Sequence, residues 1–442
     1  MRKIMPIFSI FARSNGIIRC AAVSTVAMLA LGIGSVFAQG QPAPENGAAQ
    51  PPAVAALADM YIELPIDESL KARASDVKRI LRDGNYASVA SGQQLIKDYY
   101  NKYALPRWTH ADNRGKLAAL RRELIGSELG GARNGGQPHD DVVQLAFNTL
   151  RNFAVNAQID PAVRFNAVLA IGELNAKEKP IGNQPPVPYQ PALPVLMQLF
   201  EDANQADVIR AAALIGLERH VALGISDANF RDSQLIPALI STATAATPPA
   251  GRDPEVHSWF RARAINVLGM FQSPGSDGSL AAAFINIAGD ETESPRVRLA
   301  ACYALGNLRY AGNTNVDVAA AARAAGKTAY DLVSERVQTA RTEDAKLNPK
   351  ELAGFIGPPK KCLDGIGTEM AGSQEAMLSA QIAKVISAIG REIDKATAEE
   401  KPKKPSRTGP PGYPGGSPYG EEYGSEYYGE EEGSGYPGYG YP

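Results

Sequence analysis

The chain has 442 residues, 45 of them basic and 47 acidic, and 44% of its side chains are apolar. That length and apolar content allow more than one domain with a sizeable core, while the near-balanced charge points away from nucleic acid as a partner. The four histidines are scattered and no Cys-x-x-Cys-His run occurs, which excludes covalent haem.

Residues 1–38 read as a signal peptide. Arg2, Lys3, Arg13 and Arg19 lead an uncharged, mostly apolar run over 20–31, and Val36-Phe37-Ala38 supplies small residues at the cleavage positions. Removing those four positive charges leaves 41 basic against 47 acidic residues. The expected location is outside the cytoplasm, in the periplasm, the cell envelope or the extracellular space. Left uncleaved, the apolar run extended to Ala38 approaches the roughly 20 residues that span a bilayer, so a membrane anchor is the alternative. Arg19 directly before Cys20 argues against lipoprotein processing. Residues 39–57, rich in Pro, Ala, Gln and Gly, read as a flexible linker.

Residues 58–136 form the next unit, an N-terminal helical cap. Apolar and charged residues alternate at helical spacing over 67–82, 88–103 and 113–127, before glycines interrupt the pattern at 130–136. Tyr99, Tyr103, Trp108 and His110 fall in its densest aromatic run. They are candidates for a platform that stacks sugar rings or a peptide, or else they pack the cap against the rest of the fold. Trp259 and His257, further on, carry the same two readings.

Residues 137–310 repeat one segment four times. Each copy has an arginine (Arg164, Arg210, Arg261, Arg298) preceded by Val163, Ile209, Phe260 or Val297 and followed three residues later by Ala167, Ala213, Ala264 or Ala301. Ile171, Leu217, Leu268 and Leu305 follow seven residues after the arginine, so these positions line one stripe of a helix. Gly172, Gly269 and Gly306 come next and imply close backbone approach; copy two has Glu218 there. Asp160-Pro161, Asp253-Pro254 and Ser294-Pro295 pair a capping side chain with a proline at a helix start. Between the copies, 140–154, 191–203, 232–243 and 277–289 read as partner helices, and 247–253 reads as a loop insertion.

The arginines are 46, 51 and 37 residues apart, a spread that fits two-helix repeats. The pattern Asp, Pro, Val-Arg, a spaced Ala and Ala-Leu-Gly resembles the HEAT-like repeats named after phycobilisome lyases. That resemblance implies an all-α, HEAT-like α-solenoid in which the arginine bonds an acid of its own or the next repeat. Asp160 and Asp207 are local candidates, whereas Arg261 and Arg298 lack an acid at that offset. The other reading has the four arginines line a groove for an acidic partner.

Residues 311–400 read as a C-terminal helical cap. Helices are expected over 316–341 and 374–400, with 347–372 broken by Pro349, Pro358, Pro359 and several glycines. Cys302 and Cys362 read as buried apolar groups, or as one disulfide that export would permit. Residues 401–442 form a Pro/Gly/Tyr/Glu-rich tail with eight of the chain's 17 tyrosines and six glutamates behind a basic patch at Lys401, Lys403, Lys404 and Arg407. With no aliphatic side chain for a core it is expected to stay disordered, either as an inert solubilising end or as multivalent contacts for peptide or envelope polysaccharide.

The usual local contexts of catalysis are missing: no Gly-x-Ser-x-Gly, no phosphate-cradling Gly-rich loop and no His-Glu-x-x-His. His139-Asp140-Asp141 reads as a helix start with acids at its positive end, and His220 as a packing residue. No catalytic residue, metal or cofactor is implied. The expected function is an exported, non-catalytic protein-binding scaffold. A lyase-type enzyme using His110, His139 or His220 and a glycan-binding module using Trp108 and the tail tyrosines are the alternatives.

Overall fold

The computed structural model describes residues 61–132, 135–179, 184–313, 315–343 and 347–398, with 394–398 as backbone alone. The predicted signal peptide, linker and tail lie outside the described residues. Fourteen α-helices of six residues or more carry the described chain. They are α1 (Ala74–Asp83), α2 (Gly92–Tyr99), α3 (Leu117–Arg122), α4 (Gln137–Val155), α5 (Pro161–Glu173), α6 (Ala192–Glu201) and α7 (Asp207–Leu223). There follow α8 (Ile236–Thr244), α9 (Pro254–Met270), α10 (Ser279–Gly289), α11 (Pro295–Leu305), α12 (Val318–Thr342), α13 (Pro349–Glu369) and α14 (Gln374–Ala398).

The repeat helices start where capping chemistry places them. The Asp160 carboxylate accepts from the Ala162 amide at 2.8 Å, Asp253 from Glu255 at 2.7 Å, and the Ser294 hydroxyl oxygen from Val297 at 3.4 Å, each with proline in the first turn. Helices α4 to α11 pack as four antiparallel pairs, α4/α5, α6/α7, α8/α9 and α10/α11, stacked one on the next. The fold is an all-α solenoid.

Small residues set its curvature. A Cβ on Gly172 would lie 2.6 Å from the Gly216 Cα, and one on Gly269 3.0 Å from the Ala304 Cα and Cβ. The residue eight after one arginine therefore meets the residue six after the next. Along these four pairs the second helices touch through such contacts while the first helices stand further apart, so α5, α7, α9 and α11 line the inner layer. Ala167, Ala213, Ala264 and Ala301 are all 0% exposed, the small residues between helices that the repeat implies.

Four features depart from the sequence expectations. The stretch read as one helix over 113–127 changes winding twice, from a 3₁₀ turn (Ala111–Lys116) through α3 to a π-helical turn (Glu123–Leu129). A two-stranded antiparallel hairpin joins α5 to α6, with β1 (Asn175–Lys177) against β2 (Val187–Pro188). The stretch expected to be broken at its prolines is the continuous helix α13: Pro349 occupies its first turn, and Pro358 and Pro359 are buried inside it. Burial of Leu352, Ile356, Cys362, Leu363 and Ile366 offsets the backbone bonds those prolines cannot donate.

The fourth departure is that stacking continues past 310. α13 lies on α11, where a Cβ on Gly365 would meet the Gly306 carbonyl at 2.3 Å, and α12 lies on α10. Together α12 and α13 extend the two layers, and α14 closes the end against both. Cys302 and Cys362 are free and buried, and burial pushes the Cys302 thiol up to about 12.

Ala301→Asp is expected to lower stability by several kcal/mol by placing an unpaired charge between helices. Gly172→Ala should cost about 1–3 kcal/mol, because the backbone it meets cannot yield as a side chain would. Chemical denaturation midpoints check both, and an unchanged midpoint for either would contradict the packing register.

Candidate binding surface

The four repeat arginines do one thing in common. Each donates from Nε to a carbonyl at the end of the first helix of its own pair: Arg164 to Ala154 at 3.0 Å, Arg210 to Phe200 at 2.9 Å, Arg261 to Ala243 at 3.1 Å and Arg298 to Ala288 at 3.1 Å. The carbonyl lies 10 residues back in three copies and 18 back in the third, where the 247–253 insertion intervenes.

The outer guanidinium nitrogens then reach the next pair. Arg164 donates to Gln205 at 2.6 Å, Arg261 grips Glu293 with two bonds of 2.6 Å, and Arg298 donates to Asp331 on α12 at 2.7 Å. Gln205 and Glu293 each stand five residues before the next arginine. This overturns one of the two local assignments expected from sequence, while Asp207 does lie beside Arg210. Asp160 bonds Arg114 of the cap, and Arg261 and Arg298, which lacked a local acid, hold the strongest pairs of the ladder.

Copy two is the exception. Position five before Arg261 is Val256, which accepts nothing. Asp207 lies 3.8 Å from Arg210 and is held at 2.7 Å by Arg252 from the insertion, and both arginines lie over the Phe260 ring. All four arginines are thus committed to the frame and do not line an open groove.

What the inner layer offers to solvent is a different stripe. The residues five and nine after each arginine are only partly buried in every copy: Leu169, Ile215, Asn266 and Tyr303, then Glu173, Arg219, Met270 and Asn307. The residues two before it are Ala162, Val208, Trp259 and Arg296, of which Ala162 and Arg296 are exposed and the other two partly buried. Spaced by seven and four residues, these positions share one helix face, and across four helices they form a strip of seven apolar and five polar or charged residues.

The middle of that strip is built differently from its ends. Glu218 occupies the copy-two position that glycine fills elsewhere, and it pairs with Arg263 of α9. Burial raises the Glu218 carboxyl above its ordinary value, opposed by Arg263. The Arg263 guanidinium also lies 5.6 Å from the centre of the Trp259 ring, which stands edge-on to Phe260 at 5.2 Å. Arg263 Nε and Asn266 Oδ1 are buried atoms without a hydrogen-bond partner, so polar capacity is left over in the middle of the strip.

The remaining candidates lie elsewhere. Tyr99, Tyr103 and Trp108 are 1%, 4% and 1% exposed, so no ring among them faces a ligand. Tyr99 and Tyr100 pack edge-on at 5.3 Å, and Glu128, turned inward by the π-helical turn, accepts from Tyr100 at 2.7 Å. His110 bonds the Leu64 carbonyl at 2.7 Å and fastens the first described strand of chain to the cap.

His139 is buried between Glu178 at 3.4 Å and Asp140 at 3.1 Å; burial alone would lower its pKa, but the two carboxylates raise it. His220 has no partner on either ring nitrogen, and burial lowers it to about 4. His257 bonds the Ala245 carbonyl at 2.6 Å. No two of the four histidines share a partner. Of the aromatic candidates only Trp259 belongs to the strip. Sequence reasoning passed over Asn266, Tyr303 and the Glu218–Arg263 pair, although their constant offset from the arginine was a usable signal.

Among the described residues no group of three or more His, Cys, Asp or Glu is placed to hold a metal ion, and no helix is long and apolar enough to cross a membrane. Comparisons with protein-family models, with curated proteins and with solved structures found no match. The fold and surface define an all-α helical-repeat protein of generally HEAT-like architecture.

Arg261→Ala should destabilise the protein by about 3–5 kcal/mol, since it strands Glu293 and the Ala243 carbonyl, and Arg210→Ala by less. Adding Glu293→Leu to Arg261→Met should recover much of the loss; a double variant no better than the single one would contradict the ladder. The second expectation concerns Glu128, whose carboxyl burial raises to about 7. Its folded value exceeds the unfolded one, so its contribution is full below the unfolded value near 4.5 and is lost as pH rises through about 7. The loss is about 3 kcal/mol. Melting curves at pH 5 and pH 8 should therefore converge in Glu128→Gln relative to the unsubstituted protein.

Proposed function

We propose that this protein is an exported, non-catalytic scaffold that binds a protein along the inner face of its solenoid. One observation carries the reading. A strip of Leu169, Ile215, Trp259, Met270 and Tyr303 is only partly buried on the inner layer, on helices whose alanine and aliphatic edges are fully packed. A curved stack of helix pairs offers extended contact area without a reactive centre, and half-buried aromatic side chains beside arginine are what protein interfaces favour. The segment at 1–38 supports export, and the resemblance to phycobilisome-lyase-type repeats supports a partner-binding use of the architecture.

The test is a pull-down from cell-envelope extract using the full chain and an Ile215→Glu, Trp259→Ala variant. Co-purifying proteins should be lost from the variant while its melting temperature stays within a few degrees. An identical set of captured proteins from both would sink the reading.

A further inference from the structure

The scaffold reading leaves open what covers the inner face when no partner is present. We propose that residues 408–442 of the same chain dock there in cis, tyrosine rings against the Trp259 to Tyr303 part of the strip and glutamates toward Arg296 and Lys361. This deepens the proposed function and rests on it, because a partner would then bind by displacing the segment.

Charge is the first argument. At the Trp259-to-Tyr303 end the strip and its margin hold two exposed cations with no ion-pair partner among the described residues, Arg296 and Lys361, beside the exposed Glu255 and Asp364. Glu173 and Glu218 are already engaged, Glu173 by Arg121 at 3.5 Å and Glu218 by Arg263. Residues 408–442 contain six glutamates and no lysine or arginine. The two unpaired cations and the six glutamates are complementary in sign, and such complementarity steers and orients association.

Composition is the second. Residues 408–442 have eight tyrosines and no Leu, Ile, Val or Met, so the segment has rings to place on a surface but no aliphatic core of its own. The strip supplies the opposite half of such contacts: Trp259 with Arg263 at its ring, and Tyr303 with the Lys361 ammonium 6.0 Å from its centre.

Reach is the third. The 44 residues after Ala398 cover well over 100 Å when extended at roughly 3 Å per residue. The four second helices span only roughly 30–40 Å at 8–10 Å per helix. The segment leaves from α14, which packs on α13, the helix that carries Lys361 beside Tyr303. Tethering sets an effective concentration in the millimolar range, enough for individually weak ring contacts to be occupied together.

The experiment uses the full chain with a photo-reactive benzoylphenylalanine at Tyr427, or separately at Tyr413, followed by irradiation and peptide mapping. Cross-links within one chain to peptides of α9 and α11 are expected. Their yield should fall about fivefold at high salt or in Arg296→Glu, Lys361→Glu, whose exposed side chains carry no packing role. Cross-links confined to the outer helices, covalent dimers, or no cross-link would each overturn the proposal. A second measurement uses the fact that Trp108 is buried, which leaves Trp259 as the quenchable one of the chain's two tryptophans. Replacing the eight tyrosines by serine should raise acrylamide quenching about twofold, and unchanged quenching would also overturn it. Neither measurement involves an outside partner, so a negative result here leaves the scaffold reading to its own pull-down.

Discussion

Every pair of the stack is closed by an arginine that reaches back to the carbonyl end of its first helix, and three of the four also reach forward to the next pair. The bond to the carbonyl satisfies a group that a helix end leaves open, and the forward bond ties two pairs together with a charge-assisted contact. One side chain thereby sets both the distance within a pair and the stagger between pairs. The ladder is strongest toward the C-terminal side, where Arg261 meets Glu293 and Arg298 meets Asp331 with their side chains almost fully buried. It is weakest at Arg210, whose forward position is taken by Val256.

That weak rung coincides with a second interruption. Gly172 meets Gly216, Gly269 meets Ala304, and Gly306 meets Gly365, but the junction between α7 and α9 has Glu218 where a glycine would stand. A carboxylate cannot allow backbone contact, so the two helices are joined there by the Glu218–Arg263 pair. Arg252, contributed by the insertion, provides the compensating tie to Asp207. The middle of the solenoid is held by ion pairs, its flanks by close-packed backbone. The half-buried Trp259 and the leftover polar atoms of the strip gather at this same junction, which gives the inner face a centre with both ring surface and hydrogen-bonding capacity.

The ends of the stack hide their open faces by different means. At the N-terminal side a core of Tyr99, Tyr100, Tyr103 and Trp108 is packed around Glu128, a carboxyl kept largely from water and bonded to Tyr100. At the C-terminal side α13 runs unbroken through two prolines because the rings themselves are buried, and α14 covers it. In both places side chains that suggest binding or disruption in isolation are used for closure.

The chain's sequence determined the repeat, its capped helix starts, the buried alanines and the close-approach glycines, because each depends on residues within one helical turn of another and so leaves a period in the text. The tertiary structure alone decided the rest. Which acid each arginine meets depends on a residue 32 or 33 positions away for Arg261 and Arg298, and local spacing pointed to Asp160, which Arg114 holds instead. The continuity of α13 was illegible because proline's penalty is local while the burial that overrides it comes from α11, α12 and α14. The partly buried strip emerged only from the packing of the helices: Trp259 and Trp108 look alike as letters, and it is the neighbours supplied by the fold that leave one half-buried and enclose the other.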